Sequence, residues 1–262
     1  AKMESTVYDL PGELVEVNND QSWTWNSTAL GAAVLDGNLF GLKGKRPKRN
    51  ENGDRIVNSD GNYSLGEDIF PDVDRMPDWT MGIINSMSYK NFRLSFLLDM
   101  SIGGDVYNAT NAALTYYGLS TTSEDRSMTE TIILDGVVEN GVDVDGNSIY
   151  EKNTTPIIKD QNYYQDQYSQ NAENFIEDAT FVKLRYVTLS YNLPKTLLDK
   201  IGFDRMEVFA TGRNLLMISD YSGVDPEIAS FGASVSGSGA IGLDNLSTPN
   251  TKGFDLGVKI NF

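Results

Sequence analysis

Three carboxylates, Asp220, Asp225 and Glu227, stand close together in "SDYSGVDPE". Grouped carboxylates can hold a cation or accept hydrogen bonds from sugar hydroxyls. The same stretch carries Ser-Gly and Asp-Pro pairs that set turn geometry, and turn formation is the preferred reading. "DVDGN" at 143–147 hints at a calcium loop. The EF-hand order needs glycine at the sixth position and glutamate at the twelfth, and Gly146 comes at the fourth from Asp143, so this too reads as a plain turn. Tyr107, Tyr116, Tyr117, Tyr150, Tyr163, Tyr164 and Tyr168 crowd one long polar stretch. Tyrosine joins an apolar body to a polar tip, which suits stacking on sugar rings, packing on a partner protein, or packing of the stretch against itself. The one basic run, "KGKRPKR" at 43–49, reads as a solvated loop in preference to a contact with lipopolysaccharide.

The chemistry open to the chain is narrow. It has no cysteine and no histidine, which removes disulfides, thiolate metal sites, cysteine nucleophiles, imidazole bases and the Ser-His-Asp triad. Its 37 Asp and Glu residues include no pair whose spacing marks it for glycoside hydrolysis. A formal charge of −16 argues against nucleic acid, whose phosphates need basic patches. No enzyme activity, metal or cofactor is read from the sequence.

The elements that would position these residues are strands. In "WTMGIINSMSY" and "FRLSFLLDMSI" apolar residues alternate with polar ones, and only "KN" separates the two runs, so they form a hairpin. Each is about as long as a strand that crosses a bilayer, which needs ~9–11 residues. Phe92, Leu94, Phe96 and Leu98 share one face. The final stretch "TKGFDLGVKINF" repeats the pattern, with Leu256, Val258, Ile260 and Phe262 on one face and Lys259 and Asn261 on the other. "NFIEDATFVKLRYVTLSYNLP" is a long strand of ambiguous register, because Lys183 and Arg185 share the parity of Val187, Leu189 and Tyr191. A bulge that switches faces would resolve it, as would a first half standing above the membrane. "RMEVFATGRNLLMI" is a further strand. Upstream, "TVYDLPGELVEV" and "NSTALGAAVLDGNLFGL" each suggest a strand, and 43–63 suggests a polar hairpin with turns at Asn52-Gly53 and Asp60-Gly61. The total is about eight strands. Residues 103–174 and 219–250 show no pattern. Short links near Lys90 and Pro194 therefore alternate with these long loops, as periplasmic turns alternate with extracellular loops on a transmembrane barrel.

The stretches "PDWTMGIINSMSYKNFRLSFLLDMSIGGDVYN", "DATFVKLRYVTLSYNLP", "VFATGRNLLMISDYSGVDPE" and "FDLGVKINF" together resemble the C-terminal barrel of SusC/RagA-type TonB-dependent transporters, the outer-membrane nutrient importers of Bacteroidetes. The likeness is strong over 79–108 and 173–262 and weak over 1–78. Arg75-Met76 stand where the family often has Asn-Pro, and an aromatic often follows the Asn-Leu of "RNLL". The resemblance implies an all-β, transmembrane antiparallel barrel of the 22-stranded, plugged type, of which residues 1–262 would be the C-terminal part. It implies import of oligosaccharides or peptides, a SusD-like surface lipoprotein as lid, and energy from the TonB complex through a plug that this chain lacks. It also implies contact with the rest of the barrel and with outer-membrane lipid.

On this reading Phe92, Leu94, Phe96, Leu98, Leu256, Val258 and Ile260 face lipid, while Arg93, Asp99, Lys259 and Asn261 face the lumen. Tyr107, Tyr116, Tyr117, Tyr163, Tyr164, Asp225 and Glu227 face substrate or lid. A terminal aromatic on the last strand is, by the resemblance, what barrel-assembly machinery recognises, so Phe262 is expected to act as an insertion signal. Two alternatives stay open: a self-contained eight-stranded barrel serving as anchor or adhesin, and a soluble all-β carbohydrate-binding module. "AKMESTVYDL" lacks a signal-peptide pattern, as expected of a processed chain or a piece of a longer one.

Overall fold

A computed structural model describes residues 6–20, 28–199, 202–227 and 241–261. The upstream strands are β1 (Glu16–Asp20), β2 (Ala29–Val34), β3 (Gly41–Pro47), β4 (Ile56–Val57) and β5 (Leu65–Phe70). Next come β6 (Trp79–Tyr89) and β7 (Phe92–Ile102), then β8 (Asp105–Asn108) and helix α1 (Ala109–Tyr116). Short strands follow: β9 (Thr131–Ile133), β10 (Val137–Val142), β11 (Ser148–Lys152), β12 (Pro156–Ile158) and β13 (Ile176–Asp178). The chain closes with β14 (Phe181–Asn192), the short helix α2 (Lys195–Leu198), β15 (Arg205–Ile218), β16 (Leu243–Asp244) and β17 (Gly253–Asn261).

The five long strands form one antiparallel sheet in the order β17-β15-β14-β7-β6. They are 9 to 14 residues long, enough for a tilted bilayer crossing. Tyr89 pairs with Phe92 across the two-residue link Lys90-Asn91, where Lys90 has φ 53°. At the other end of β7, Gly103 (φ 75°) and Gly104 (φ 83°) turn the chain into β8. A Cβ on Gly104 would lie 3.0 Å from the backbone of Met76 and Pro77, so the turn needs glycine for both angle and space.

Cross-strand register makes each face continuous. Phe92 pairs with Tyr191, Tyr191 with Val208, and Val208 with Val258. Leu94, Leu189, Ala210 and Leu256 form the next row, and Phe96, Val187, Gly212 and Phe254 the one after. Leu98 lies on the same face opposite Ile83 and Leu184, and Met206 brings Ile260 into it. This face is uncovered: Phe92 is 50%, Leu256 86%, Val258 53% and Ile260 37% exposed. The opposite face carries Arg93, Asp99, Lys259 and Asn261, opposite Ser190, Lys183, Glu207 and Arg205.

The register ambiguity of β14 is resolved by a bulge. Tyr186 pairs with Leu97 and Leu184 with Leu98, so Arg185 is the extra residue. Before it the apolar face is carried by the even positions Val182 and Leu184, and after it by the odd positions Val187, Leu189 and Tyr191. Without the bulge Lys183 and Arg185 would have joined the apolar face.

Before residue 79, β1, β2, β3 and β5 form a separate four-stranded sheet in that order; β1 and β2 overlap the two strands expected there, β3 lies mostly in the stretch expected as a polar hairpin, and β5 is not among the expected strands. Turns stand at Gly53 (φ 86°) and Gly61 (φ 85°) as expected of the polar hairpin. Its basic run, 43–49, is not simply solvated: Lys43 pairs with Glu16 (2.5 Å) and Arg49 with Glu173 (2.9 Å), which Arg55 from beyond the run also meets (3.3 Å). Residues 103–174, which show no sequence pattern, are folded. Tyr107, Ala109, Ala112, Ala172 and Phe175 pack with Ala29, Leu42, Phe70 and Leu243 in a closed core that joins this segment to the upstream sheet. The strands here are three to six residues long, too short to display a period. No helix among the described residues is long and apolar enough to cross a membrane.

Candidate functional site

Two groups of side chains are brought together, one where the long connections meet the sheet and one within the segment that follows β7. The first is an ion cluster built on the bulge. Lys183 Nζ donates to Asp225 Oδ1 (2.5 Å) and Glu227 Oε2 (2.6 Å). Arg185 bridges Asp99 Oδ2 (2.9 Å through Nε) and Glu227 Oε2 (2.6 Å through Nη1). Asn250 Nδ2 donates to the remaining oxygen of Asp225 (2.9 Å). β7, β14, the segment after β15 and the approach to β17 are thereby tied at one point. Burial disfavours the Glu227 charge, but hydrogen bonds from Arg185 and Lys183 outweigh it and hold the carboxyl below its ordinary value. Asp225 and Glu227 are thus engaged by cations of the chain itself. The Glu227 N–H also donates to Asp225 Oδ1 (2.9 Å), a side-chain turn of the kind expected from "SDYSGVDPE". "DVDGN" likewise forms a plain turn, with Asp143 Oδ1 accepting from the N–H groups of Asp145 (2.9 Å) and Asn147 (2.8 Å).

The second group is the tyrosine-rich one. Tyr163–Tyr168 forms a single wide helical turn of π type, and its rings pack in a chain. Tyr163 and Tyr164 meet edge to face at 5.1 Å, Tyr164 and Tyr168 lie 5.7 Å apart, and Tyr168 meets Phe175 at 5.8 Å. Tyr164 Oη donates to Asp125, which also pairs with Lys159. Those two partners, Lys159 foremost, hold the Asp125 carboxyl below its ordinary value, while burial and the Asp125 charge push the Tyr164 phenol up. Burial, then the neighbouring Tyr168, pushes Tyr163 up to about 12. Tyr116 and Tyr117, at the end of α1, meet edge to face at 5.1 Å. Between that end of α1 and the Tyr163–Tyr168 turn lies a cavity of about 470 Å³, lined by Tyr116, Tyr117 and Tyr164 together with Arg126, Gln161 and Gln165.

The structure therefore brings Tyr116, Tyr117 and Tyr164 to one cavity, with Tyr163 packed behind Tyr164. Tyr107, expected to face substrate or lid, is instead a core residue, 1% exposed, with its hydroxyl bonded to that of Thr28. Burial pushes its phenol up to about 12. The β8 backbone turns it toward the core cluster, where its ring packs. Phe262 lies outside the described residues.

Sequence reasoning missed several contributors. The parity of Lys183 and Arg185 signals a bulge in the sequence, but the bridge that Arg185 makes between Asp99 and Glu227 has no sequence signal. Arg75, noted only as a departure from the family pattern, is 3% exposed and bonds the carbonyls of Phe40 (3.1 Å), Gly41 (3.2 Å) and Ile241 (2.6 Å). Arg126, Gln161 and Gln165 carried no sequence signal.

An antiparallel sheet with one uncovered apolar face, one polar face and its long connections at one end defines a class, the wall of a β-barrel. Relatives make the class particular. The chain is 28% identical to TonB-dependent receptor P3 of Formosa agariphila over 190 residues, 72% of this chain and 17% of that one. It is 25% identical to TonB-dependent receptor P39 of the same organism over 271 residues, 99% of this chain and 23% of that one. TonB-dependent receptor SusC of Bacteroides thetaiotaomicron is 29% identical over 192 residues, 71% of this chain and 15% of that one. Among solved structures, the RagAB peptide transporter shares the fold with a TM-score of 0.56 at 16% identity, over 97% of this chain and 26% of that chain. The RagAB peptide importer in its closed-closed state gives 0.53 at 17%, with the same coverage. No family model matches the chain. These matches bear out the resemblance to SusC/RagA-type TonB-dependent transporters and the all-β barrel fold. The chain spans less than a quarter of the length of these curated relatives.

Proposed function

We propose that this chain is the C-terminal part of the barrel wall of an outer-membrane, TonB-dependent nutrient importer of SusC type. The observation that carries this reading is the continuous apolar face of the five-stranded sheet, which has no protein covering among the described residues and would meet lipid. Phe92, Leu94, Phe96, Leu98, Leu256, Val258 and Ile260 contact lipid. Arg93, Asp99, Lys259 and Asn261 point to the lumen. Residues 103–174, 219–227 and 241–250 lie on the extracellular side, where Tyr116, Tyr117, Tyr163 and Tyr164 face substrate or a SusD-like lid lipoprotein. The TonB complex acts through a plug carried elsewhere. The chain performs no covalent chemistry of its own. Its substrate is an oligosaccharide or a peptide.

The orientation is tested by paired substitutions in an outer-membrane assembly assay. Val258→Lys places a charge in lipid and costs about 2–4 kcal/mol at mid-depth, whereas Lys259→Val removes a luminal charge and leaves assembly near normal. Equal assembly of the two variants would reverse the faces.

A further inference from the structure

β15 outruns its neighbour at one end. β17 reaches only to the pair Gly253–Arg213, whereas β15 continues to Ile218 beside β14. The wall therefore has a notch at its proposed extracellular end, between residues 214–218 and the approach to β17. Asn214 (φ 50°) shapes it, and its Nδ2 donates to the Thr251 carbonyl (3.1 Å). The notch holds a cavity of about 260 Å³. Leu216, Met217 and Val224 line the cavity and are 51%, 39% and 53% exposed. Leu216 belongs to the apolar face of the sheet, since it pairs with Leu184, which pairs with Leu98. The cavity is thus continuous with the face proposed for lipid. Its carboxylate, Asp225, is buried and accepts from Lys183 (2.5 Å) and Asn250 (2.9 Å), so that charge is neutralised within the chain. Lys252, immediately before β17, also lines the cavity, is exposed, and forms no ion pair among the described residues.

We infer that this notch seats a phosphorylated lipid of the outer leaflet, with an acyl chain against Leu216, Met217 and Val224 and a phosphate against Lys252. An apolar recess with one uncommitted cation at its rim matches an amphiphile with an anionic head. A free anion would leave the apolar wall of the notch in water, and a neutral lipid would leave Lys252 without a partner. The position agrees with the chemistry, because Lys252 stands where the apolar face gives way to the long connections, the level of lipid head groups. The inference rests on the importer reading for the direction of the sheet in the membrane.

The test is native mass spectrometry of the protein purified from outer membranes in detergent. It is titrated with diphosphoryl lipid A, with lipid A freed of its phosphates, and with inorganic phosphate. Diphosphoryl lipid A binds about fivefold more tightly than the phosphate-free lipid, the scale of one lysine at an anionic lipid surface. Lys252→Gln removes that difference and leaves binding of the phosphate-free lipid unchanged. Val224→Ser weakens both lipids about three- to tenfold through lost apolar contact. Lys152→Gln, which removes a charge from the segment after β7, alters neither. Inorganic phosphate does not displace the lipid. The inference fails if the two lipids bind equally, if Lys252→Gln leaves their difference in place, or if Val224→Ser leaves binding unchanged. It fails also if inorganic phosphate competes with diphosphoryl lipid A, which would mark a site for a free anion. A protein that passes the Val258 and Lys259 test yet shows no binding dependent on Lys252 loses this inference alone, and one that reverses that test loses both.

Discussion

At the scale of residues, the bulge cluster concentrates the charge chemistry of the sheet. Arg185→Ala removes the bridge between Asp99 and Glu227, leaving the part-buried Asp99 carboxylate without the Arg185 ion pair and Glu227 with Lys183 alone. The expected loss is about 2 kcal/mol, the scale of hydrogen bonds to charged groups, read as lowered thermal stability of the detergent-solubilised protein. The pH dependence follows from Glu227, whose native carboxyl lies below its ordinary value of 4.5. A depressed carboxyl contributes stability that is present above the unfolded value and is lost as pH falls through the native one. The facing charges are Lys183, Arg185, Asp99 and Asp225. Residues 219–227 are therefore expected to resist protease at neutral and mildly acidic pH and to be released only below about 4.5. Glu227→Gln should remove most of that acid dependence. Limited proteolysis across pH checks both statements, and a release near pH 7 in the unaltered protein would contradict them.

At the scale of elements, the faces of the sheet are decided by register, and register by turns and the bulge. The β7–β8 corner depends on two successive left-handed residues. Gly104→Ala places a Cβ 3.0 Å from the Met76 and Pro77 backbone at φ 83°. The expected cost is about 1–3 kcal/mol, visible as reduced assembly and lost protection in the 103–108 region by hydrogen exchange. Lys90, at φ 53° in the two-residue hairpin, marks the opposite case. There Lys90→Gly relieves strain, with a small gain or no loss in stability. The bulge at Arg185 has the largest consequence. It turns two cations from the face proposed for lipid to the face where Asp99 waits for one of them.

At the scale of the whole molecule, an uncovered apolar sheet needs a partner phase. As a lipid-facing wall the protein should remain in the membrane fraction through carbonate extraction and leave it only in detergent. Release by carbonate alone would favour a soluble all-β module and count against the importer reading. The folded segment after β7 gives the molecule a core separate from the five-stranded sheet, in which Tyr107, Phe175 and the alanines of α1 pack against the upstream strands. Substitutions there, such as Phe175→Ala, are expected to destabilise the loop region by about 3–5 kcal/mol while the five-stranded sheet still forms. Hydrogen exchange resolves the two regions separately.

The sequence by itself determined the long strands. Alternation over nine or more residues is visible without coordinates, and so are the two-residue hairpin at Lys90, the alternation of short and long connections, and the class to which they lead. It also determined that "DVDGN" and "SDYSGVDPE" are turns, because glycine, proline and side-chain oxygens act on their nearest neighbours. Tertiary structure alone decided the rest. The parity of Lys183 and Arg185 offers a bulge as one of two explanations, and only the partner strand shows that it forms and that the extra residue is 185. Residues 103–174 looked patternless because strands of three to six residues and a two-turn helix are stabilised by contacts far along the chain. Tyr107 and Tyr117 are the same residue type in one polar stretch. Only packing sends the first into a core beside Thr28 and leaves the second at the rim of a cavity, since burial depends on what surrounds a side chain in space.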